Sequence, residues 1–134
     1  MDTHTALEKL KAAAPASFHV LDAAKSKRLK AATMYIPSPD EVAQAIRAIP
    51  KGSTKTVAQL RTEMAALAHA DTTCPGATIK YWKWLALLSE PMAGAHPSLP
   101  VPWWRLLKDG QPSRHMPGGV AGQRAKLAAE GVFL

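Results

Sequence analysis

The chain has 134 residues, 47% of them hydrophobic, which suffices for one globular domain with a single core and is too apolar for a disordered chain. Seventeen lysines and arginines against ten acidic residues give a formal net charge of +7. That excess favours a polyanionic partner, with nucleic acid first and a membrane surface second. The single cysteine excludes an internal disulfide, and the five scattered histidines show no ligand spacing, so we expect no metal site and no cofactor.

Segments that would direct the chain to a membrane or out of the cell are not evident. No apolar run approaches the roughly 20 residues that cross a bilayer. The first five residues lack the charged start and apolar run typical of a signal peptide. We therefore expect a cytoplasmic protein without a membrane partner. We also expect it to be a monomer.

Residues 1–36 differ in pattern from the rest and are predicted to be a basic N-terminal arm, followed by a folded domain over residues 37–134. Ala6 to Ala14 are predicted to form a short helix that Pro15 stops. Lys25 to Lys30 then place four cations within six residues. Two interpretations stay open for this run: an arm that contacts phosphates, or a solvated surface segment.

Three helices are predicted at the start of the folded domain. Ser38 as N-cap, Pro39 at the first helical position and Glu41 three residues after the cap together predict a helix start. A second helix is predicted from Thr56 to about His69, and a third from about Ala77 to Ser89. Because a turn-rich segment joins the last two, we predict a helix-turn-helix whose third helix is the recognition helix.

An aromatic segment, Pro102-Trp103-Trp104-Arg105, follows a proline-rich connection. A fixed backbone, two indoles and a guanidinium are together typical of a pocket for a planar group, and the alternative is a hydrophobic plug under a loop. A short strand that enters a turn over Leu106–Gly110, a wing-like loop at Gln111–Gly119 and a last helix stopped at Gly131 are predicted next. The predicted fold is mainly α, a winged helix-turn-helix with a small β wing.

The order of these segments resembles the DNA-binding domain of O6-alkylguanine-DNA alkyltransferases over about residues 38–132. No single piece is specific, and the resemblance rests on the order and spacing of several together. These pieces are Ile49-Pro50-Lys51-Gly52, Thr56 to Leu60, Val101 to Leu106, Gly110, Pro117-Gly118-Gly119, Gln123, Leu127 and Glu130-Gly131.

The catalytic strand of that family reads Pro-Cys-His-Arg-Val, and its cysteine accepts the alkyl group from a flipped guanine. The matching positions here hold Trp103 for the cysteine and Trp104 for the histidine. Since an indole can neither become a thiolate nor relay a proton, the resemblance implies no alkyl transfer and no enzyme at this strand. A tryptophan in the cysteine position is similar to the alkyltransferase-like branch, whose members bind alkylated DNA and flag it for nucleotide excision repair. The implied partners are double-stranded DNA, alkylated or not, and excision-repair proteins.

The chain departs from that family at the positions that handle a flipped base. Val57 stands where the family has a tyrosine that rotates the base out of the duplex. No arginine lies between Cys74 and Lys80, where the family has a finger that fills the vacated stack. Glu130 matches a glutamate that hydrogen-bonds the catalytic histidine, so with Trp104 in the histidine position we expect a structural role for Glu130.

The expected site has two parts, a DNA-contacting surface and a base pocket. Trp103 would form the floor of the pocket, since stacking a base on an aromatic side chain is worth ~1–3 kcal/mol, and its alternative is a place in the core. For the phosphate contacts, the alternative is an exposed residue without a function. The expected DNA contacts are Thr56, Lys80, Lys83, Trp84, Arg105 and Arg114, and the expected base pocket is Trp103, Met116 and Gly118.

Two other functions stay open. Cys74, at the predicted N-terminus of the third helix, could carry a reactive thiol for an enzyme or a redox protein, or be an inert turn residue. The domain could also serve as a protein-interaction module that uses exposed tryptophans.

Overall fold

The computed structural model describes residues 1–134 as an α/β fold with six α-helices, five short strands and one turn of 3-10 helix. In chain order the elements are α1 (Thr3–Lys11), β1 (Ser17–Val20), α2 (Ala23–Leu29), β2 (Thr33–Ile36), α3 (Pro39–Arg47), β3 (Lys55–Thr56), α4 (Val57–Leu67), β4 (Thr72–Thr73), α5 (Pro75–Ser89), the 3-10 turn (Trp103–Arg105), β5 (Leu106–Leu107) and α6 (Gly119–Ala128). No helix is both long and apolar enough to cross a membrane.

The helix starts predicted at Ser38 and Thr56 are confirmed. Ser38 and Glu41 form the predicted capping box of α3, and Thr56 forms a second one with Gln59 at the start of α4. In each box the cap side chain accepts from a backbone N–H that has no partner inside the helix. The third helix begins at Pro75, slightly before the predicted Ala77.

Helix α5 is the centre of the core. Trp82, Leu85 and Leu88 on one of its faces are almost completely buried, and the helix packs against α1, α3 and α4. The indole N–H of Trp82 donates to the carbonyl oxygen of Trp103 at 3.0 Å. This bond ties the centre of α5 to the aromatic segment.

The N-terminal segment differs from the predicted basic arm, because most of it is built into the fold. Ala6, Leu7 and Leu10 belong to the core cluster, and α1 packs on α5. Their i, i+1, i+4 spacing places three apolar side chains on one helical face, which covers α5. β1 pairs with β2 in antiparallel register, and β2 pairs with β4 in parallel register.

The region predicted as a wing contains less strand than expected. A strand is confirmed at the start of the predicted segment 106–110: β5 covers Leu106–Leu107 and pairs in parallel with β3. The loop that follows makes one antiparallel bridge, between Lys108 and Gln111. Its shape depends on the fully buried Gln123, whose amide accepts from the backbone N–H of Ser113 at 2.8 Å and donates to the carbonyl oxygens of Trp104 and Leu106. The α/β fold is established, and the winged helix-turn-helix type stays a prediction.

Candidate nucleic-acid interface

The aromatic segment faces inward. Trp103 is 4% exposed and belongs to the core cluster, and its ring meets that of Trp104 edge-on, with centroids 5.6 Å apart and an interplanar angle of 84°. T-shaped aromatic pairs of this kind stabilise packing beyond the area they bury. The structure therefore places Trp103 in the core, which was the alternative to the floor of an open base pocket.

Arg105 is held by the protein itself. Its guanidinium donates to both carboxylate oxygens of Glu130, at 2.9 and 2.6 Å, and to the carbonyl oxygen of Ile49 at 3.0 Å. These hydrogen bonds raise the pKa of Arg105. Because the side chain is 15% exposed and all three of its nitrogens donate inside the fold, we assign Arg105 a structural role in place of the expected DNA contact.

Glu130 completes this buried pair. The hydrogen bonds from Arg105 are the main cause that lowers the pKa of Glu130 to about 2. The nearby indole N–H of Trp104 adds to this lowering of the pKa, although it forms no hydrogen bond of ordinary geometry. Glu130 thus stays ionised and fixes Arg105 against the end of α6.

The three residues predicted to form the base pocket do not line one common cavity. Trp103 borders a cavity of about 320 Å³ with Trp104 and Lys126, whereas Met116 lines another on the α5 side. Gly118 lines neither cavity; it precedes α6 with φ +75°, and a Cβ there would lie 3.0 Å from the Cα of Gly122. The glycine is required by this close approach of two backbone segments.

An open cavity of about 430 Å³ lies between α5 and the loop before α6, and we call it the α5 groove. The structure brings three sequence-predicted residues, Lys83, Trp84 and Met116, together here. Lys83 is exposed and Trp84 is half-buried, so the groove offers an ammonium group beside an indole. The full lining is Met1, Lys83, Trp84, Leu87, His115, Met116 and Pro117.

Lys80 extends this surface along the exposed edge of α5. Its ammonium lies 5.1 Å from the ring centroid of Tyr81 and 5.4 Å from that of Trp84. The two rings are themselves 5.4 Å apart and tilted by 56°. Cation–π attraction orients the lysine without neutralising it, so its positive charge stays available to an anion.

Thr56 and Arg114 lie outside the α5 groove. The hydroxyl of Thr56 accepts from the backbone N–H of Gln59 at 3.1 Å, which makes it the cap of α4. Arg114 is exposed, and its Nε lies 3.5 Å from Nε2 of the neighbouring His115. Arg114 therefore sits next to a groove residue on the same loop.

Sequence reasoning missed part of the groove lining. Leu87 is four residues after Lys83, so the helical period could have placed both on one face. His115 is in the predicted loop, but the sequence does not indicate that this loop faces α5. Met1 reaches the groove because α1 packs on α5, a long-range contact that leaves no local pattern.

Cys74 and the tryptophans bear on the two alternative functions. Cys74 is half-buried at the N-cap of α5, where its sulfur accepts from the backbone N–H of Ala77 at 3.5 Å. This contact gives Cys74 a structural role as the cap of α5, and the reactive thiol stays a prediction. Trp82 and Trp103 are buried and Trp84 and Trp104 are half-buried, so only the last two could contribute to a protein-interaction surface, which stays a prediction.

Comparisons of the chain with known protein families, with characterised proteins and with solved structures find no match. The resemblance described from the sequence thus stays a prediction, and the functional case depends on the geometry of the α5 groove.

Proposed function

We propose that this protein is a non-catalytic double-stranded DNA-binding protein of the alkyltransferase-like type, and that the α5 groove is its contact surface. The observation that carries the proposal is the meeting of Lys83, Trp84 and His115 in one open groove, with Lys80 beside it. The succession of α4, the turn around β4 and α5 supports the choice, because it has the order of a helix-turn-helix.

The chemistry of the groove suits a nucleic acid. Lysine ammonium groups neutralise phosphates and release counterions, which gives affinity that falls with salt. The half-buried indole of Trp84 in the same groove provides a flat surface on which a base can stack, worth ~1–3 kcal/mol. The net charge of +7 adds a long-range attraction to any polyanion.

The finer parts of the proposal come from the aromatic segment. With tryptophans at positions 103 and 104, alkyl transfer has neither a thiolate nor a general base in this segment. We infer that the protein binds the duplex, recognises alkylated guanine without repairing it, and presents it to excision-repair proteins as a cytoplasmic monomer. A base would then contact Trp84, because Trp103 is in the core.

Fluorescence anisotropy with a labelled duplex at several salt concentrations tests DNA binding. The double variant Lys80→Gln, Lys83→Gln removes the lysine of the groove and the lysine beside it, and the matched control Lys9→Gln, Lys51→Gln removes two exposed cations elsewhere. We expect the groove variant to reduce the slope of log affinity against log salt by about 2, since each phosphate contact adds roughly one to that slope. Equal slopes for both variants, or no binding by the wild type, would contradict the proposal.

A second duplex that carries a single O6-methylguanine tests lesion recognition. We expect tighter binding to it than to the unmodified duplex, and we expect Trp84→Phe to retain part of this preference because a phenyl ring still stacks. Equal affinity of the wild type for both duplexes would remove lesion recognition and leave DNA binding in place.

A further inference from the structure

A strongly basic surface lies outside the α5 groove, on the segment from β1 to β2. We call residues 17–36 the α2 hairpin, because α2 connects two antiparallel strands. Helix α2 buries none of its residues. Four exposed cations follow its course, and none of them forms an ion pair: Lys25, Lys27, Arg28 and Lys30.

The fold does not offset the repulsion among these cations. Lys25 and Arg28 are three residues apart, as are Lys27 and Lys30, so like charges are neighbours on the helix surface. The C-terminal end of the helix dipole attracts the later cations by at most about 1 kcal/mol at an exposed site. Asp22 is the acidic residue within the hairpin, and its carboxylate caps α2 by accepting from the backbone N–H of Lys25 at 2.8 Å.

The α2 hairpin is fixed to the turn that begins α5. The carboxylate of Asp71 accepts from the backbone N–H groups of Ala32 and Thr33, both at 3.0 Å, and from the hydroxyl of Thr33 at 3.1 Å. The backbone N–H of Cys74, the N-cap of α5, donates to the carbonyl oxygen of Tyr35 at 2.8 Å. The basic helix is therefore held near the N-terminal end of α5 and is not a flexible arm.

The length of α2 matches a short run of phosphates. A helix of seven residues is about 10 Å long, and one strand of DNA carries a phosphate about every 3.4 Å of helix axis. The cations of α2 therefore cover about three phosphates of one strand.

We propose, on the basis of the DNA-binding function above, that the α2 hairpin is a second contact to the phosphate backbone, beside the duplex segment that lies against α5. It provides affinity without sequence choice, since it offers charge and no groups that read base edges. An anionic membrane surface would also attract these cations. Duplex DNA is favoured because the hairpin is anchored to the start of the proposed recognition helix.

The test compares Lys25→Gln, Lys27→Gln, Arg28→Gln with a control that removes three exposed cations elsewhere, Lys9→Gln, Lys51→Gln, Arg124→Gln. All six side chains are exposed, so circular dichroism should show both variants folded. In salt-dependent anisotropy titrations of the unmodified duplex, we expect the hairpin variant to reduce the slope of log affinity against log salt by about 2 to 3. The same titrations are repeated with vesicles that contain phosphatidylserine.

The outcomes separate the two proposals. The hairpin variant and its control could show the same slope of log affinity against log salt, while Lys80→Gln, Lys83→Gln still reduces it. That result would overturn the second contact and leave the proposal for the α5 groove unaffected. Vesicle binding that the hairpin substitutions abolish, with DNA binding equal to that of the control, would overturn it in favour of a membrane contact. Absence of DNA binding by the wild type would overturn both proposals.

Discussion

Two of the three tryptophan–cation pairs in this protein have similar chemistry and opposite surroundings. In the aromatic segment, Arg105 lies 5.9 Å from the ring centroid of Trp104 and is bound to a buried carboxylate. On α5, Lys80 lies 5.4 Å from the ring centroid of Trp84 and has no acidic partner. A cation beside an indole therefore does not by itself indicate a binding site. The cation must also be exposed and have hydrogen-bond donors that the protein does not use.

The physical reason for the difference is the cost of burial. A guanidinium that is 15% exposed has lost most of its hydration and needs protein acceptors, which Glu130 and Ile49 supply. An exposed ammonium keeps its water and can exchange it for a phosphate. The first pair should thus affect stability, and the second should affect DNA affinity.

The largest expected effect comes from Trp103→Ala. Removing a buried tryptophan leaves a cavity in the core, and such substitutions cost ~3–5 kcal/mol of unfolding free energy. The half-buried Trp84→Ala is the matched control: it should cost less stability and weaken DNA binding more. Urea denaturation and anisotropy on both variants check this, and a Trp103→Ala protein of wild-type stability would show that Trp103 is not in the core.

Arg105→Met should have an effect of similar size. It leaves the buried carboxylate of Glu130 without its partner, and breaking a buried pair costs about 3 to 5 kcal/mol. Lys108→Met, which removes an exposed lysine 3.9 Å from Asp109, should change the unfolding free energy by less than about 1 kcal/mol. If Arg105→Met lost DNA affinity at unchanged stability, Arg105 would instead be a DNA contact.

Acid should destabilise the protein through Glu130. The pKa of this carboxyl falls from its ordinary value of 4.5 to about 2 in the folded state. Since the folded-state pKa is lowered, the contribution is complete above about pH 5 and is lost as the pH falls towards 2, with a size of about 3 kcal/mol. Urea titrations between pH 6 and 2.5 should show a steeper loss for the wild type than for Glu130→Gln, and parallel curves would contradict it.

The smallest expected effect concerns Thr56. Thr56→Ala removes the N-cap of α4 and should cost about 1 kcal/mol, whereas Thr56→Ser keeps the hydroxyl and should cost less. DNA affinity should be the same for both variants at equal folded fraction. A selective loss of affinity in Thr56→Ala would restore Thr56 as a phosphate contact.

Local signals predicted much of the fold. The capping boxes at Ser38 and Thr56 specify helix starts by hydrogen bonds within four residues, so the sequence pattern is sufficient. The pairing of β1 with β2 and the Asp71 contacts join residues far apart in the chain, and no periodicity reveals such pairing. The basic run at Lys25–Lys30 was therefore predicted as an arm although it belongs to a fixed hairpin.

The candidate site was predictable only in part, for a related reason. The helical period placed Lys80, Lys83 and Trp84 near one another on α5. Whether Trp103 and Arg105 face solvent depends on Glu130 and on the packing of α5, which are long-range features. Residue type indicates a pocket both on α5 and in the aromatic segment. In the aromatic segment, tertiary packing buries the indole of Trp103 and the guanidinium of Arg105.

The most direct test of the central claim follows the four indole N–H resonances by NMR while unmodified duplex DNA is added to the ¹⁵N-labelled protein. The indoles of Trp82, Trp84, Trp103 and Trp104 report on the core, the α5 groove and the aromatic segment in one experiment. We expect the Trp84 resonance to shift and those of Trp82 and Trp103 to stay in place. Shifts at Trp103 and Trp104 with none at Trp84 would contradict the assignment of the α5 groove as the DNA-binding surface.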